Sequence, residues 1–157
     1  ALPYVGIRSR VSMGEFGPQI PDALDRTMAW LDAQGIQPDG PPLIRYHACP
    51  TECGPEAFVD VCVGWPLAQP VAAPEGFEAD SLPAGRYASL VFTGVENGMA
   101  GNGVLIDWAR AQGLSWDAWP LAGGEGFAGR VEHLIDGPED DPDPANWRNE
   151  VAIKLDR

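Results

Sequence analysis

Residues 30–36 read WLDAQGI and residues 108–114 read WARAQGL, and this repeated stretch decides the fold. Four of the seven positions are identical, and isoleucine pairs with leucine at the last one, all at a constant offset of 78 residues. Self-similarity at a fixed offset is the signature of an internally repeated fold. If the repeat is real, the sequence around each copy must show the same order of helices and strands.

Each copy ends a pattern that is typical of an amphipathic helix. Before the first copy, Pro21 suits the first helical turn, and an apolar stripe follows at helical spacing. The residues of this stripe are Ile20, Leu24, Thr27, Met28 and Leu31. Gly35 and Gly113 stand where a left-handed C-cap is favoured. Three glycines at 98–103 lower the helix propensity of the second helix, so we expect it to begin near Asn102.

One predicted strand precedes each helix and two follow it, because the apolar residues there follow strand patterns. The strand candidates are residues 5–11, 43–48 and 58–64 in the first half, and residues 86–92, 127–135 and 147–155 in the second half. The sequence therefore predicts a single α+β domain built from two β-α-β-β units. Repeat one spans residues 3–68, a proline-containing linker spans 69–76, and repeat two spans 77–157.

Composition restricts the class of partner. The 157 residues carry a formal net charge of −13, with one lysine and nine arginines. Affinity for nucleic acid comes largely from basic side chains that neutralise phosphates, so we expect no nucleic-acid binding by this chain alone. No apolar run approaches the roughly 20 residues of a membrane helix, and no signal-peptide pattern is visible. These observations favour a soluble cytoplasmic protein without a membrane partner.

The cysteines allow a metal-site hypothesis. His47, Cys49, Cys53 and Cys62 could together supply four zinc ligands. Their spacing matches no recurrent finger or knuckle pattern, and an odd number of cysteines argues against a disulfide framework. We therefore favour two loop thiols and one core thiol, and we expect neither a metal ion nor another cofactor.

The last predicted strand has two different faces. Val151, Ile153 and Leu155 share one face, which is apolar and fit to cover a helix. Glu150 and Arg148 lie on the opposite face, where the basic side chain could neutralise the acidic one. The last strand of the first half has the same arrangement, because its valines share one face and its aspartate lies on the other.

Four stretches of the chain resemble the GyrI-like effector-binding family, which is the ligand-sensing domain of AraC-type and MerR-type multidrug regulators and also occurs alone in small cytoplasmic proteins. The stretches are LPAGRYA at 82–88, PLIRY at 42–46, VDV with GWP at 59–66, and PDPANWRNEV at 142–151. The last one is similar to the family ending DPxxWxTEVxxPL. Asn149 stands where threonine is usual, and Lys154 stands where proline often follows.

The resemblance implies two units with pseudo-twofold symmetry, antiparallel sheets, one long helix per repeat on the outside, and an aromatic cleft between the sheets. It also implies that a glutamate on the final strand contacts cationic ligands, and by its place in the motif this residue is Glu150. We predict a ligand-binding set around it, which consists of Glu150, Tyr46, Trp65, Phe92, Trp119, Glu132 and Trp147.

Each member of this set has a structural alternative. Tyr46 and Phe92 could be core residues of strands, and the tryptophans at strand edges could cover the sheet. Glu132 could be a solvated strand residue paired with Arg130 or with the arginine at 148. The two tryptophans of the repeated stretch, at 30 and 108, are expected to pack between helix and sheet.

A carboxylate inside a ring-lined cleft suits a lipophilic organic cation. An unpaired buried charge is unfavourable, and a bound cation removes that deficit, while each aromatic face adds about 0.5–2 kcal/mol. The sequence therefore predicts a non-enzymatic protein that binds small, drug-like organic molecules for sensing or sequestration. Two alternatives stay open. One is a hydrolase of strained electrophilic natural products that uses the cleft glutamate, and the other is an acidic modulator of a DNA-acting enzyme such as gyrase.

Overall fold

The computed structural model describes residues 1–52 and 54–157. Its strands are β1 (Leu2–Ser12), β2 (Leu43–Pro50), β3 (Phe58–Pro66), β4 (Glu78–Leu82), β5 (Tyr87–Thr93), β6 (Ala118–Leu121), β7 (Gly124–Phe127), β8 (Arg130–Leu134) and β9 (Arg148–Lys154). Its α-helices are α1 (Met13–Gln34) and α2 (Gly98–Ala111). Within these residues, neither helix is long and apolar enough to cross a lipid bilayer.

The strands form one antiparallel sheet in the order β4-β1-β3-β2-β8-β9-β5, and the β6–β7 hairpin is attached to β2 through β7. The predicted α+β class with an antiparallel sheet is thereby confirmed. The first half contributes the order β1-β3-β2 and the second half the order β5-β9-β8. Each half has a helix after its first strand, and the duplication of a β-α-β-β unit stays a prediction. The repeat boundaries at 3–68 and 77–157 stay a prediction.

Both helices lie on the same face of the sheet, which we call the helix-bearing face. One apolar cluster joins α1 to β1, β2 and β3, and its buried members are Val11, Ala23, Ile44, Val59, Val61 and Val63. A second cluster joins α2 to β5 and β9, and its buried members include Phe92, Leu105, Val151 and Ile153. Because each helix covers the outer strands of its own half, the strands at the seam, β2 and β8, lie between the helices.

The helices begin earlier than the sequence predicts. α1 starts at Met13, whose amide donates to Ala57 O at 2.8 Å, so a backbone carbonyl satisfies the helix end where Ser12 makes no side-chain cap. Pro21 therefore lies inside α1 rather than in its first turn. α2 starts at Gly98 rather than near Asn102, because tertiary packing outweighs the low helix propensity of its glycines.

The opposite, helix-free face is curled inward. Only five peptide units join Leu82 to Tyr87, and they span at most about 18 Å. These residues belong to β4 and β5, which lie at opposite edges of the sheet, and seven flat strands would separate the edges by about 29 Å. The sheet must therefore curve until its edges approach. The interior is filled by a cluster whose buried members are Tyr4, Leu43, Cys62, Leu82, Val131 and Ala152.

The two tryptophans of the repeated stretch have different environments. Trp30 packs against Phe77, with ring centroids 6.0 Å apart, beside the buried Leu31, so its predicted packing role is confirmed. Trp108 is 49% exposed on α2, so the same prediction is wrong for it.

Candidate functional site

A cavity of about 1270 Å³ lies between α1 and α2. Its floor is the helix-bearing face of the seam, where β2 pairs with β8 and Ile44 faces Glu132 in the register. Residues of the 135–140 segment and the β7 strand contribute further walls. The cavity follows from the fold, because the helices cover the outer strands and leave the central ones open. A volume of this size accommodates a drug-sized organic molecule.

Glu132 is the partly buried acid of this cavity. Its Oε2 accepts a hydrogen bond from the Tyr46 hydroxyl at 3.2 Å, and its Oε1 accepts one from Asn149 Nδ2 at 2.9 Å. Among the described residues, no basic nitrogen lies within 4.0 Å of the carboxyl oxygens. Burial raises the pKa of Glu132, and the two hydrogen bonds offset only part of this effect. The carboxyl group is thus held in place without being neutralised by a close ion pair.

Tyr46 is the phenol of the cavity. Burial, reinforced by the nearby Glu132 carboxyl, raises the pKa of Tyr46 well above its ordinary value. The hydroxyl therefore stays protonated and donates to the carboxyl group. Phe16 of α1 meets the Tyr46 ring edge-on, with centroids 6.4 Å apart. This contact fixes the ring between helix and sheet.

Two tryptophans present ring surfaces to the cavity. Trp65 Nε1 donates to Leu24 O at 3.1 Å, and Trp147 Nε1 donates to Asp141 O at 2.7 Å. Both indole N–H groups are therefore already satisfied by backbone carbonyls. The remaining indole surface is apolar and polarisable, which suits contact with a flat or cationic ligand.

Arg130 also lines the cavity. Its Nη2 donates to Asn102 Oδ1 at 3.0 Å, which connects β8 to α2. The guanidinium carbon lies 4.7 Å from the Phe127 ring centroid and 6.0 Å from that of Tyr46. The cavity therefore holds a basic side chain as well as an acidic one.

The structure brings four of the seven predicted site residues together, namely Tyr46, Trp65, Glu132 and Trp147. Phe92 does not reach the cavity, because it is buried between β5 and α2 against Gly101. Trp119 is 47% exposed, and its ring lies across Gly126 on the β6–β7 hairpin. These two residues therefore lie outside the lining of the cavity.

Glu150 lies on the helix-free face, outside the cavity lining. Along β9 the odd-numbered Asn149 and Val151 point to the helix-bearing face, so Glu150 points away from it, beside His133 in the register. The predicted alternation of side chains along β9 is therefore confirmed, but the cavity lies on the face opposite to that of Glu150. It lies between the halves but on the same face as the helices. Arg148 does not neutralise Glu150 either, because its Nε and Nη2 donate to Asp136 at 2.8 and 3.1 Å.

Sequence reasoning missed Asn149 and Arg130. A signal for each is present in the sequence, because Asn149 departs from the threonine of the family ending and Arg130 shares strand parity with Glu132. Glu132 forms no ion pair within 4.0 Å with Arg130 or Arg148, and its hydrogen-bond partners are Tyr46 and Asn149.

The zinc-site residues are divided between the two faces. Cys62 is a buried core thiol, as predicted, and His47 Nε2 lies 2.9 Å from Glu78 Oε2 on the helix-free face. A register shift between Tyr46 and Ala48 turns β2, and Cys49 lines the cavity from the strand rather than from a loop. Cys53 lies outside the described residues. Within the described part of the chain, no three potential ligands cluster around a common point.

An α+β fold with an antiparallel sheet and a ring-lined cavity between two helices is typical of a small-molecule-binding domain. The chain belongs to the family described as the GyrI-like small molecule binding domain, whose model matches residues 1–116. A DNA gyrase inhibitor from Serratia proteamaculans (strain 568) is 36% identical over 87 residues. That match covers 54% of this chain and 53% of the relative, so it spans about half of the relative's length.

Solved structures share the fold. The C-terminal domain of EcmrR superposes with a TM-score of 0.68 at 16% identity, covering all of this chain and 96% of that domain. EcmrR in its DNA complex gives a TM-score of 0.75 at 14% identity, covering 98% of this chain and 53% of EcmrR. SAV2435 bound to tetraphenylphosphonium gives a TM-score of 0.54 at 11% identity, covering 98% of this chain and 88% of SAV2435. A hydrolase from Listeria innocua gives a TM-score of 0.55 at 11% identity, covering 98% of this chain and 87% of the hydrolase.

Proposed function

We propose that this chain binds lipophilic organic cations in the cavity between α1 and α2, without catalysis, and serves in sensing or sequestration. The observation that carries the proposal is Glu132, a partly buried carboxyl group held by neutral hydrogen-bond donors in a cavity walled by Tyr46, Trp65 and Trp147. The family description supports small-molecule binding, and the tetraphenylphosphonium complex of SAV2435 supports a cationic ligand.

Electrostatics favour a cation over an anion of the same shape. A cation centred about 5–6 Å from an ionised Glu132 gains about 3 kcal/mol at an effective dielectric constant near 20. Desolvation of both charges removes part of this gain, so we expect a net effect of roughly tenfold in affinity. The acidic residues at the rim of the cavity, which include Asp25, Glu125 and Glu139, attract cations from solution.

The first experiment compares tetraphenylphosphonium with tetraphenylborate, which has the same shape and the opposite charge. Both are titrated against wild-type protein, Glu132→Gln and Glu150→Gln by isothermal calorimetry and by tryptophan fluorescence. The two variants remove the same charge from opposite faces of the sheet, so they are matched. We expect the phosphonium to bind wild type and Glu150→Gln alike and to bind Glu132→Gln roughly tenfold more weakly.

Two results would reject this proposal. One is equal affinity of wild type for the phosphonium and the borate. The other is a loss of affinity in Glu150→Gln that matches or exceeds the loss in Glu132→Gln. Thermal unfolding of both variants shows whether a loss reflects the site or the fold.

A modulator of gyrase is a second candidate function, because the matched relative is named a DNA gyrase inhibitor and the net charge of this chain is −13. An acidic surface that competes with DNA would bind its partner through long-range electrostatics, which salt screens. Capture of gyrase by the immobilised chain at low salt, and its loss at moderate salt, would favour this function. Gyrase binding that persists at high salt would argue against mimicry of DNA.

A hydrolase is the third candidate, because a hydrolase from Listeria innocua shares the fold. In this cavity, Glu132 and Tyr46 would be the acid–base groups that face a bound electrophile. Incubation with a cyclopropane-bearing alkylator, followed by mass spectrometry, tests this function. Hydrolysis that disappears in Glu132→Gln would favour it over binding alone.

A further inference from the structure

Arg130 is a basic group of the cavity that binding of a simple cation does not use. Arg130 and Glu132 lie two residues apart on β8, so both side chains leave the strand on the helix-bearing face. Their Cα atoms are about 6.6 Å apart in such an arrangement. The cavity therefore presents an acidic and a basic group side by side.

The guanidinium of Arg130 is positioned by neutral groups. Asn102 Nδ2 donates to Gly98 O at 2.8 Å, which turns Asn102 Oδ1 towards Arg130 Nη2. The Phe127 ring supports the guanidinium at 4.7 Å. These contacts hold the cation in place and leave its charge uncompensated at short range, since no carboxylate oxygen of the described residues lies within 4.0 Å of it.

Most donors of this side chain are unused. A guanidinium has five N–H donors, and the described residues supply an acceptor to one of them, Asn102 Oδ1. A carboxylate can accept two parallel hydrogen bonds from a guanidinium, and such pairs are among the strongest in proteins. Arg130 is therefore equipped for an anionic group of a ligand that reaches it from within the cavity.

We propose that the preferred ligands of this cavity are amphoteric aromatic compounds, which place a cationic group at Glu132 and a carboxylate at Arg130. This inference rests on the proposed function, because it adds a second contact in the same cavity. A purely cationic ligand satisfies Glu132 and is repelled by Arg130. A ligand with both groups matches both charges, and its aromatic part occupies the ring-lined space between Trp65 and Trp147.

The test uses two phosphonium cations that differ in one group. (4-Carboxybenzyl)triphenylphosphonium is amphoteric, and its methyl ester has nearly the same shape without the anionic charge. Their dissociation constants are measured by calorimetry for wild type, Arg130→Gln, Arg130→Lys and Glu132→Gln. The glutamine variant keeps a polar side chain that can donate to Asn102, and the lysine variant keeps the charge without the paired donors.

We expect the acid to lose roughly tenfold in affinity for Arg130→Gln, while the ester gains affinity because a repulsive charge is removed. The dissociation constant of the acid divided by that of the ester therefore rises at least tenfold from wild type to Arg130→Gln, and Arg130→Lys gives an intermediate ratio. An unchanged ratio, with the ester still dependent on Glu132, would overturn this inference and leave the proposed function intact. Failure of both the ester and the acid to bind wild type would reject both proposals.

Discussion

Glu132 is the residue on which the chemistry of the cavity depends. Its neighbours Tyr46 and Asn149 donate hydrogen bonds to it, and these contacts orient the carboxyl group without supplying a positive charge. Burial raises its pKa, so part of the free protein keeps this group protonated at a pH where an exposed glutamate is ionised. A bound cation reverses this preference, because it stabilises the ionised form.

This coupling predicts a pH dependence of cation binding. Tetraphenylphosphonium does not titrate, so it binds more tightly as the pH rises from the ordinary glutamate pKa through the raised pKa of Glu132, and the affinity levels off above it. Because we expect the uncharged form to bind roughly tenfold more weakly, the affinity rises by about tenfold in total across this range, and part of a proton is released for each cation bound. Glu132→Gln removes this proton release. Calorimetry in two buffers of different ionisation enthalpy measures it directly, and equal release by both proteins would contradict the assignment.

Residue-level prediction from the sequence was limited by the position of the cavity. The alternation along β9 correctly separated Glu150 from Val151 and Ile153, because strand parity is a local property. Which face of the sheet carries the cavity depends on where both helices pack, and this is a property of the tertiary fold. The placement of Phe92 under α2 was not predictable for a related reason, since a strand pattern cannot distinguish a residue under a helix from one beside it.

At the scale of elements, the glycines of α2 have two different roles. A Cβ at Gly101 would lie 3.0 Å from Phe92 Cδ1, so this glycine lets the helix approach β5 closely. Apart from its chain neighbours and the adjoining backbone of α2, a Cβ at Gly103 would meet no atom within 4 Å, and this glycine lines the cavity. The sequence pattern alone indicates only that these glycines weaken the start of the helix. In the structure, Gly101 is needed for close packing against β5, whereas Gly103 lies in uncrowded space at the cavity.

This difference predicts opposite effects of two alanine substitutions. Gly103→Ala is expected to raise the free energy of unfolding by about 0.5–1 kcal/mol, because alanine is the better helix former and its methyl group is uncrowded. Gly101→Ala is expected to lower it, because the methyl group displaces the Phe92 ring. Urea denaturation measures both. A stabilising effect of Gly101→Ala equal to that of Gly103→Ala would contradict the packing described for α2.

For the whole molecule, the sequence predicted the order of the main elements and the antiparallel α+β class. The repeated stretch at 30–36 and 108–114 marked the ends of both helices, and the glycines after them have φ angles of 70° and 69° as a left-handed cap requires. The sequence did not predict β4 or the β6–β7 hairpin, because these strands have only four or five residues each and the hairpin also contains proline and glycine. The curl of the sheet was not predictable either, because it follows from the short connection between strands at opposite edges.

The curvature of the sheet and the packing of both helices leave a cavity on the helix-bearing face, and our central claim is that this cavity is the ligand site. A crystal structure of the protein with tetraphenylphosphonium tests this claim most directly. We expect the phosphorus atom to lie between α1 and α2, nearer to the Glu132 carboxyl group than to that of Glu150, with a phenyl ring against Trp65 or Trp147. Phosphonium bound at Glu150 on the helix-free face, with the cavity between the helices left without ligand, would contradict it.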